Sequence, residues 1–169
     1  MTEAPQILLR HHLKQLRLPT FQGEYAKQAQ LCAAENKDHI HYLARLCEME
    51  LIERERRMIE RRIKAAKFPS TKSLDSFDFK IMPSLNKPLT MDLARCDYVD
   101  RRENIIALGP SGTGKTHIAL GLGLAACQRG LKVRFTTAAA LVHDLIEAQD
   151  ERKLQRLQKQ LKHRLPTMH

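Results

Sequence analysis

Gly109, Pro110, Ser111, Gly112, Thr113, Gly114, Lys115 and Thr116 spell G-x-x-x-x-G-K-[ST], a spacing suited to wrapping a phosphate chain. Glycines at 109, 112 and 114 let the backbone curl, so that successive N–H groups converge on an anion. The Lys115 ammonium is placed to reach the β- and γ-phosphates, and the Thr116 hydroxyl to ligate the accompanying Mg²⁺. A helix that starts at the loop adds the positive end of its dipole there. These eight residues are the candidate cofactor-binding set for ATP and Mg²⁺, with Thr116 as the metal contact. No residue is singled out as catalytic.

Such a loop works only between a strand and a helix, and both flanks fit. Asn104 to Leu108 is a short apolar run that reads as a buried parallel strand. Thr116 to Arg129 reads as a helix stopped by Gly130, in which Gly121 and Gly123 allow close packing on a sheet. Val133 to Thr136 reads as a second strand, closing a βαβ unit.

Ahead of this unit the pattern is helical. Ile7 to Leu18 is amphipathic and stops at Pro19; Thr20 can cap a second helix through Cys32; Asp38 opens a long third helix to about Lys67. The third helix carries Glu53-Arg54-Glu55-Arg56-Arg57, which fits a solvated face with i,i+4 pairs such as Glu53 with Arg57. It equally fits a DNA-facing stripe in which Arg54, Arg57, Arg61 and Arg62 meet phosphates. Phe68 to Ser73 breaks the pattern, Pro83 and Pro88 punctuate a loop, and Thr90 is placed to cap a helix from Met91 to about Val99. After the βαβ unit, Thr137 can cap Ala138 to Ala148, and a further helix carries Leu154, Leu157 and Leu161. The expected organisation is a helical segment over 1–67, a connector over 68–100, a partial P-loop domain over 101–161 and a tail over 162–169.

Composition narrows the partners. Lys and Arg number 29 against 19 Asp and Glu, a net charge of +10 that favours a polyanion, of which nucleic acid is the commonest. Cys32, Cys47, Cys96 and Cys127 form no C-x-x-C pair, which argues against a zinc knuckle or a disulfide framework and fits a reducing cytoplasm. The sequence has no signal-peptide core and no run of membrane-spanning length, so no membrane partner is expected.

Taken in order, these features resemble the IstB-type transposition helper ATPases, relatives of the DnaC helicase loaders among the AAA+ P-loop proteins. The resemblance runs from about Leu13 to Leu161. It is carried by Leu13 to Pro19, Tyr42-Leu43, Phe68-Pro69, Phe77-Asp78-Phe79, the loop with His117-Ile118-Ala119 behind it, and Gly130 to Val133 ahead of Phe135-Thr136-Thr137. It implies an α/β fold: an incomplete P-loop NTPase (AAA+) core preceded by an all-helical segment. It implies ATP and Mg²⁺ as ligands, DNA and the transposase of the same insertion sequence as partners, and a homo-oligomer. It also implies that the connector near Phe77 borders the adenine. A DnaC-like helicase loader and a non-catalytic DNA- or transposase-binding fragment remain open as other readings. In the family an apolar strand ending in two carboxylates follows the position of Leu161, whereas this chain continues Lys162 to His169. The expectation is a shortened copy, its tail out of frame, that binds ATP without hydrolysing it. That sheet places further strands between the two read here, so their neighbours are expected to be missing.

Overall fold

The computed structural model describes residues 3–82, 85–150 and 153–155. The chain forms two compact units, divided between Met58 and Ile59.

In the first unit α1 (Glu3–Gln15) and α2 (Pro19–Ala34) pack on each other, and α3 (His39–Ala66) begins. The turns between them are set by residues in the left-handed region. Arg17 sits at φ 56°, with the Arg17 and Leu18 N–H groups donating back to the Lys14 and Leu13 carbonyls. Asn36 at φ 51° ends α2 in the same way, a conformation asparagine tolerates better than most residues. Pro19 occupies the first turn of α2, where its missing N–H costs nothing. It therefore starts a helix as well as ending the one before. Thr20 does not cap α2 with its side chain; its own N–H is capped by Glu50, at 2.9 Å. Asp38 does cap α3, accepting from the His41 N–H at 2.8 Å.

Glu50 is the lock of this unit. Only 3% exposed, its carboxylate takes the Thr20 N–H, Arg57 at 2.9 Å and Arg54 at 3.4 Å. Burial alone would raise its pKa, but the Thr20 and Arg57 bonds outweigh burial and hold it below the ordinary 4.5. Leu13, Cys32 and Leu46 are buried apolar side chains of the same unit. Glu53 pairs with Arg56 at 2.9 Å, and Arg57, whose charge also helps to hold the Glu53 carboxyl below its ordinary pKa, donates to the Glu53 carbonyl at 3.0 Å.

The second unit is built around α6 (Lys115–Gln128), which buries Leu120, Gly121, Leu122, Ala126 and Cys127. Both helix glycines are close-packing sites, though against the connector instead of a sheet. A Cβ on Gly121 would lie 2.6 Å from Leu74, and one on Gly123 would lie 3.0 Å from Phe68. Between Phe68 and the loop come α4 (Lys87–Leu93) and α5 (Asp97–Asp100). The helix expected over Met91–Val99 with Thr90 as its cap is thus corrected. Asn86 caps α4 by accepting from the Leu89 N–H, Pro88 lies in its first turn, and Thr90 is buried inside it. At the far end α7 (Ala138–Asp150) is capped as expected, the Ala140 N–H donating to the Thr137 hydroxyl. The helix expected through Leu157 and Leu161, and the tail over 162–169, lie outside the described residues.

Neither expected strand is seen as one. Residues 103–110 and 131–137 are free of helix, but no strand forms among the described residues. Ile106 and Leu108 are 79% and 90% exposed. A cleft of about 650 Å³ lies between the segments, lined by Ile105 and Ala107 on one side and by Val133 and Arg134 on the other. Paired strands sit about 4.8 Å apart, so two segments with a cleft between them make no ladder. The Phe135 N–H donates instead to the Ala66 carbonyl at the end of α3, at 2.8 Å. No described helix is long and apolar enough to cross a membrane.

Candidate phosphate-binding site

The loop over Gly109–Thr116 leads directly into α6, so a fourteen-residue helix points its N-terminus at the loop. Gly109, Gly112 and Gly114 have φ of 150°, 81° and 79°, conformations that side chains resist. Alternation of this kind turns consecutive peptide N–H groups toward one side, the arrangement that binds anions. Within the loop the N–H groups of Gly112, Thr113 and Gly114 donate to no described backbone carbonyl, and the first backbone bond of the helix runs from Ile118 to Gly114. The donors are available and the loop is largely exposed.

Lys115 folds back over the loop. Its Nζ donates to the Gly109 carbonyl at 2.8 Å and the Pro110 carbonyl at 2.6 Å, with the Thr113 hydroxyl at 3.4 Å. The Thr113 hydroxyl donates to the Pro110 carbonyl at 2.9 Å, tightening the same turn. An ammonium bonded only to neutral oxygens has no counter-charge there, and an anion entering the loop would supply one. Thr116, one position on, is exposed and has no side-chain partner among the described residues. The residues therefore fit a polyphosphate with its divalent cation: the loop and Lys115 would hold the phosphates, and Thr116 would offer its hydroxyl to the metal. Such a ligand supplies the negative charge that the loop N–H groups, the helix dipole and Lys115 answer.

Sequence reasoning missed what holds the loop. Phe77 of the connector presses on Gly114, so that a Cβ there would lie 2.5 Å from the ring. The ring is fixed edge-on against Phe79 at 4.9 Å and His117 at 5.1 Å. His117 Nε2 lies 3.0 Å from the Ser73 carbonyl and 3.2 Å from the Ser76 hydroxyl, which itself donates to that carbonyl. Ser73, Ser76, Phe77 and His117 thus latch the connector to the first turn of α6. The signal was present in Phe77-Asp78-Phe79 and in the histidine just after the loop, but nothing in either says that they meet.

The candidate DNA-contacting arginines all lie on α3. Arg54 and Arg57 lie in the first unit and bind Glu50, and Arg54 also donates to the Arg17 carbonyl. Arg61 and Arg62 lie in the second, Arg61 exposed and Arg62 beside Gly130. All four cysteines are free; Cys32, Cys96 and Cys127 are buried, and burial raises the thiol pKa of Cys96 and Cys127. No group of His, Cys, Asp and Glu suited to a metal occurs among the described residues.

A helix-capping loop of this kind defines a P-loop nucleotide-binding protein. The family described as IstB-like ATP binding protein matches residues 11–167, and the chain belongs to it. It is 36% identical over 148 residues to a protein of Geobacillus stearothermophilus named as an ATP-binding protein of insertion sequence IS5376, covering 88% of this chain and 59% of that one. It is 38% identical to the proteins so named for IS21 in Pseudomonas aeruginosa and for IS232 in Bacillus thuringiensis. Those two matches cover 74% and 73% of this chain and 48% of each relative. The chain thus spans about half the length of the curated relatives it matches. Membership implies the α/β P-loop fold, of which the described residues show the loop and its helix without a sheet.

Proposed function

We propose that this chain is an ATP-binding helper of insertion-sequence transposition, which acts on DNA in the cytoplasm beside the transposase of the same element. The observation that carries the reading is the loop itself: three glycines in conformations side chains resist, a lysine folded across them, and a long helix starting at the same residue. ATP is the ligand and Mg²⁺ its companion, held by Gly109, Pro110, Ser111, Gly112, Thr113, Gly114, Lys115 and Thr116. The names of the relatives favour transposition over helicase loading. The net charge of +10 supports DNA as the partner, with Arg54, Arg57, Arg61 and Arg62 as the phosphate contacts. Self-association is supported by the exposed Ile7, Leu8, Leu16 and Leu43 of the first unit. The segments 1–67, 68–100 and 101–161 serve as partner-binding lead, loop support and nucleotide domain.

Calorimetric titration with Mg-ATP tests the reading. Lys115→Ala removes the charge that meets the phosphates and is expected to weaken binding at least about tenfold, as loss of a charge-assisted bond requires. Equal affinity for the two proteins refutes the loop as the site.

A further inference from the structure

The connector grips the start of α6 along one face. Gly114, His117 and Gly121 stand at i, i+3 and i+7, so they share that face. Each meets the segment 73–79. A Cβ on Gly114 would lie 2.5 Å from Phe77 and one on Gly121 2.6 Å from Leu74, while His117 Nε2 lies 3.0 Å from the Ser73 carbonyl. The Phe77 N–H closes the turn by donating to the Leu74 carbonyl at 3.1 Å. Phe77 is thus carried on a turn pinned by Leu74 at one end and, through Ser76, by His117 at the other.

The bonding at His117 fixes where its hydrogen sits. Ser76 Oγ donates its single hydrogen to the Ser73 carbonyl at 2.8 Å, and that carbonyl only accepts. His117 Nε2 therefore faces two acceptors, at 3.0 Å and 3.2 Å, and must itself carry the hydrogen that joins them. Neutral His117 is the Nε2–H tautomer.

The loop needs such a support. Gly112 and Gly114 hold φ of 81° and 79° without a side chain, and glycine visits either sign of φ about as readily. Lys115 Nζ bonds the Gly109 and Pro110 carbonyls, but an ammonium that turns to a phosphate gives up such bonds. The Phe77 contact need not break, since the ring meets Gly114 where a Cβ would stand and uses none of the hydrogen-bonding groups of the loop.

We propose that His117 is a positioning residue of the phosphate loop. Its Nε2–H ties down the turn at Ser73 and Ser76, the turn holds Phe77 against Gly114, and Gly114 keeps the left-handed conformation that shapes the loop for phosphate. His117 touches no phosphate in this scheme. The proposal rests on Gly109 to Thr116 being the phosphate site and adds what shapes it.

The probe is inorganic tripolyphosphate with Mg²⁺, which has no base, titrated by calorimetry into the full chain beside Mg-ATP. Phe77→Ala is expected to weaken both ligands by the same factor, about five- to thirtyfold, the cost of ordering one freed residue on binding. His117→Phe keeps a ring beside Phe77 but has no donor, and should lose about three- to tenfold. His117→Gln, whose amide N–H can reach the same carbonyl, should stay within about twofold of the unaltered chain. His117→Phe added to Phe77→Ala should weaken binding no further, because the two act along one path. In alkaline buffer the nitrogen NMR spectrum of the ring should show the Nε2–H form, its signals being those absent from His117→Gln. Tripolyphosphate affinity unchanged in both His117→Phe and Phe77→Ala overturns the proposal even where urea midpoints fall, since the latch is then structural only. Equal losses in His117→Phe and His117→Gln overturn it too, and these two variants decide if Phe77→Ala does not fold. A loss for ATP alone gives Phe77 to the base and overturns it, as does a neutral His117 with its hydrogen on Nδ1. Lys115→Ala separates the two readings: tripolyphosphate binding unchanged there refutes the loop as the site, whereas a loss there alone leaves the loop standing and sinks only the role of His117.

Discussion

Gly114→Ala combines two costs that a second substitution separates. At φ 79° an L side chain costs about 1–2 kcal/mol for the left-handed conformation alone. The new methyl would also stand 2.5 Å from Phe77 Cε2 and 3.0 Å from Cζ. A free ring end would swing away, but this one is wedged against Phe79 and His117. Relief therefore means moving the connector or the start of α6, an overpacking cost of about 1–3 kcal/mol. Phe77→Ala removes the obstacle but not the dihedral. In that background Gly114→Ala should cost only its dihedral part, about 1–2 kcal/mol. The double-mutant cycle read by urea unfolding should thus show a coupling of about 1–3 kcal/mol, the double variant being more stable than the sum of the singles implies. Additivity within about 0.5 kcal/mol would refute the reasoning, because the ring would not then be what the methyl meets.

Three other outcomes follow from the same geometry. Glu50 has a folded pKa below 4.5, so the stability it contributes is fully present above that pH and is lost as pH falls through the depressed value. Glu50→Gln should destabilise the folded chain by about 1–3 kcal/mol at neutral pH, with the gap to the unaltered chain closing in acid; a pH-independent gap in urea midpoints would contradict this. Replacing Arg54, Arg57, Arg61 and Arg62 by Gln should flatten the slope of log DNA affinity against log salt by up to about four phosphate contacts, and an unchanged slope returns these residues to structural roles. Steady-state phosphate release by the 169-residue chain should stay near background with or without DNA, because among the described residues no carboxylate contacts the loop to place Mg²⁺ and the attacking water; brisk turnover abolished by Lys115→Ala would disprove it.

The sequence determined whatever depends on neighbours along the chain. The loop from Gly109 to Thr116 carries its glycines and lysine at fixed spacing, so its pattern is legible without any fold. Asp38 and Thr137 announced their helices for the same local reason: a cap acts three residues away. Pro88 and Thr90 misled because a proline is as much at home in a first helical turn as in a loop, and Asn86 made the choice. Only tertiary structure decided that Phe77 backs Gly114, that His117 ties down Ser73, and that Glu50 caps Thr20 thirty residues away. Each of these joins residues remote in sequence whose types alone name no partner. The strands show the limit most clearly. Asn104 to Leu108 has the composition of a buried strand, yet a strand is a relation between two stretches of backbone, and across the cleft from Ile105 to Val133 no described segment supplies the second.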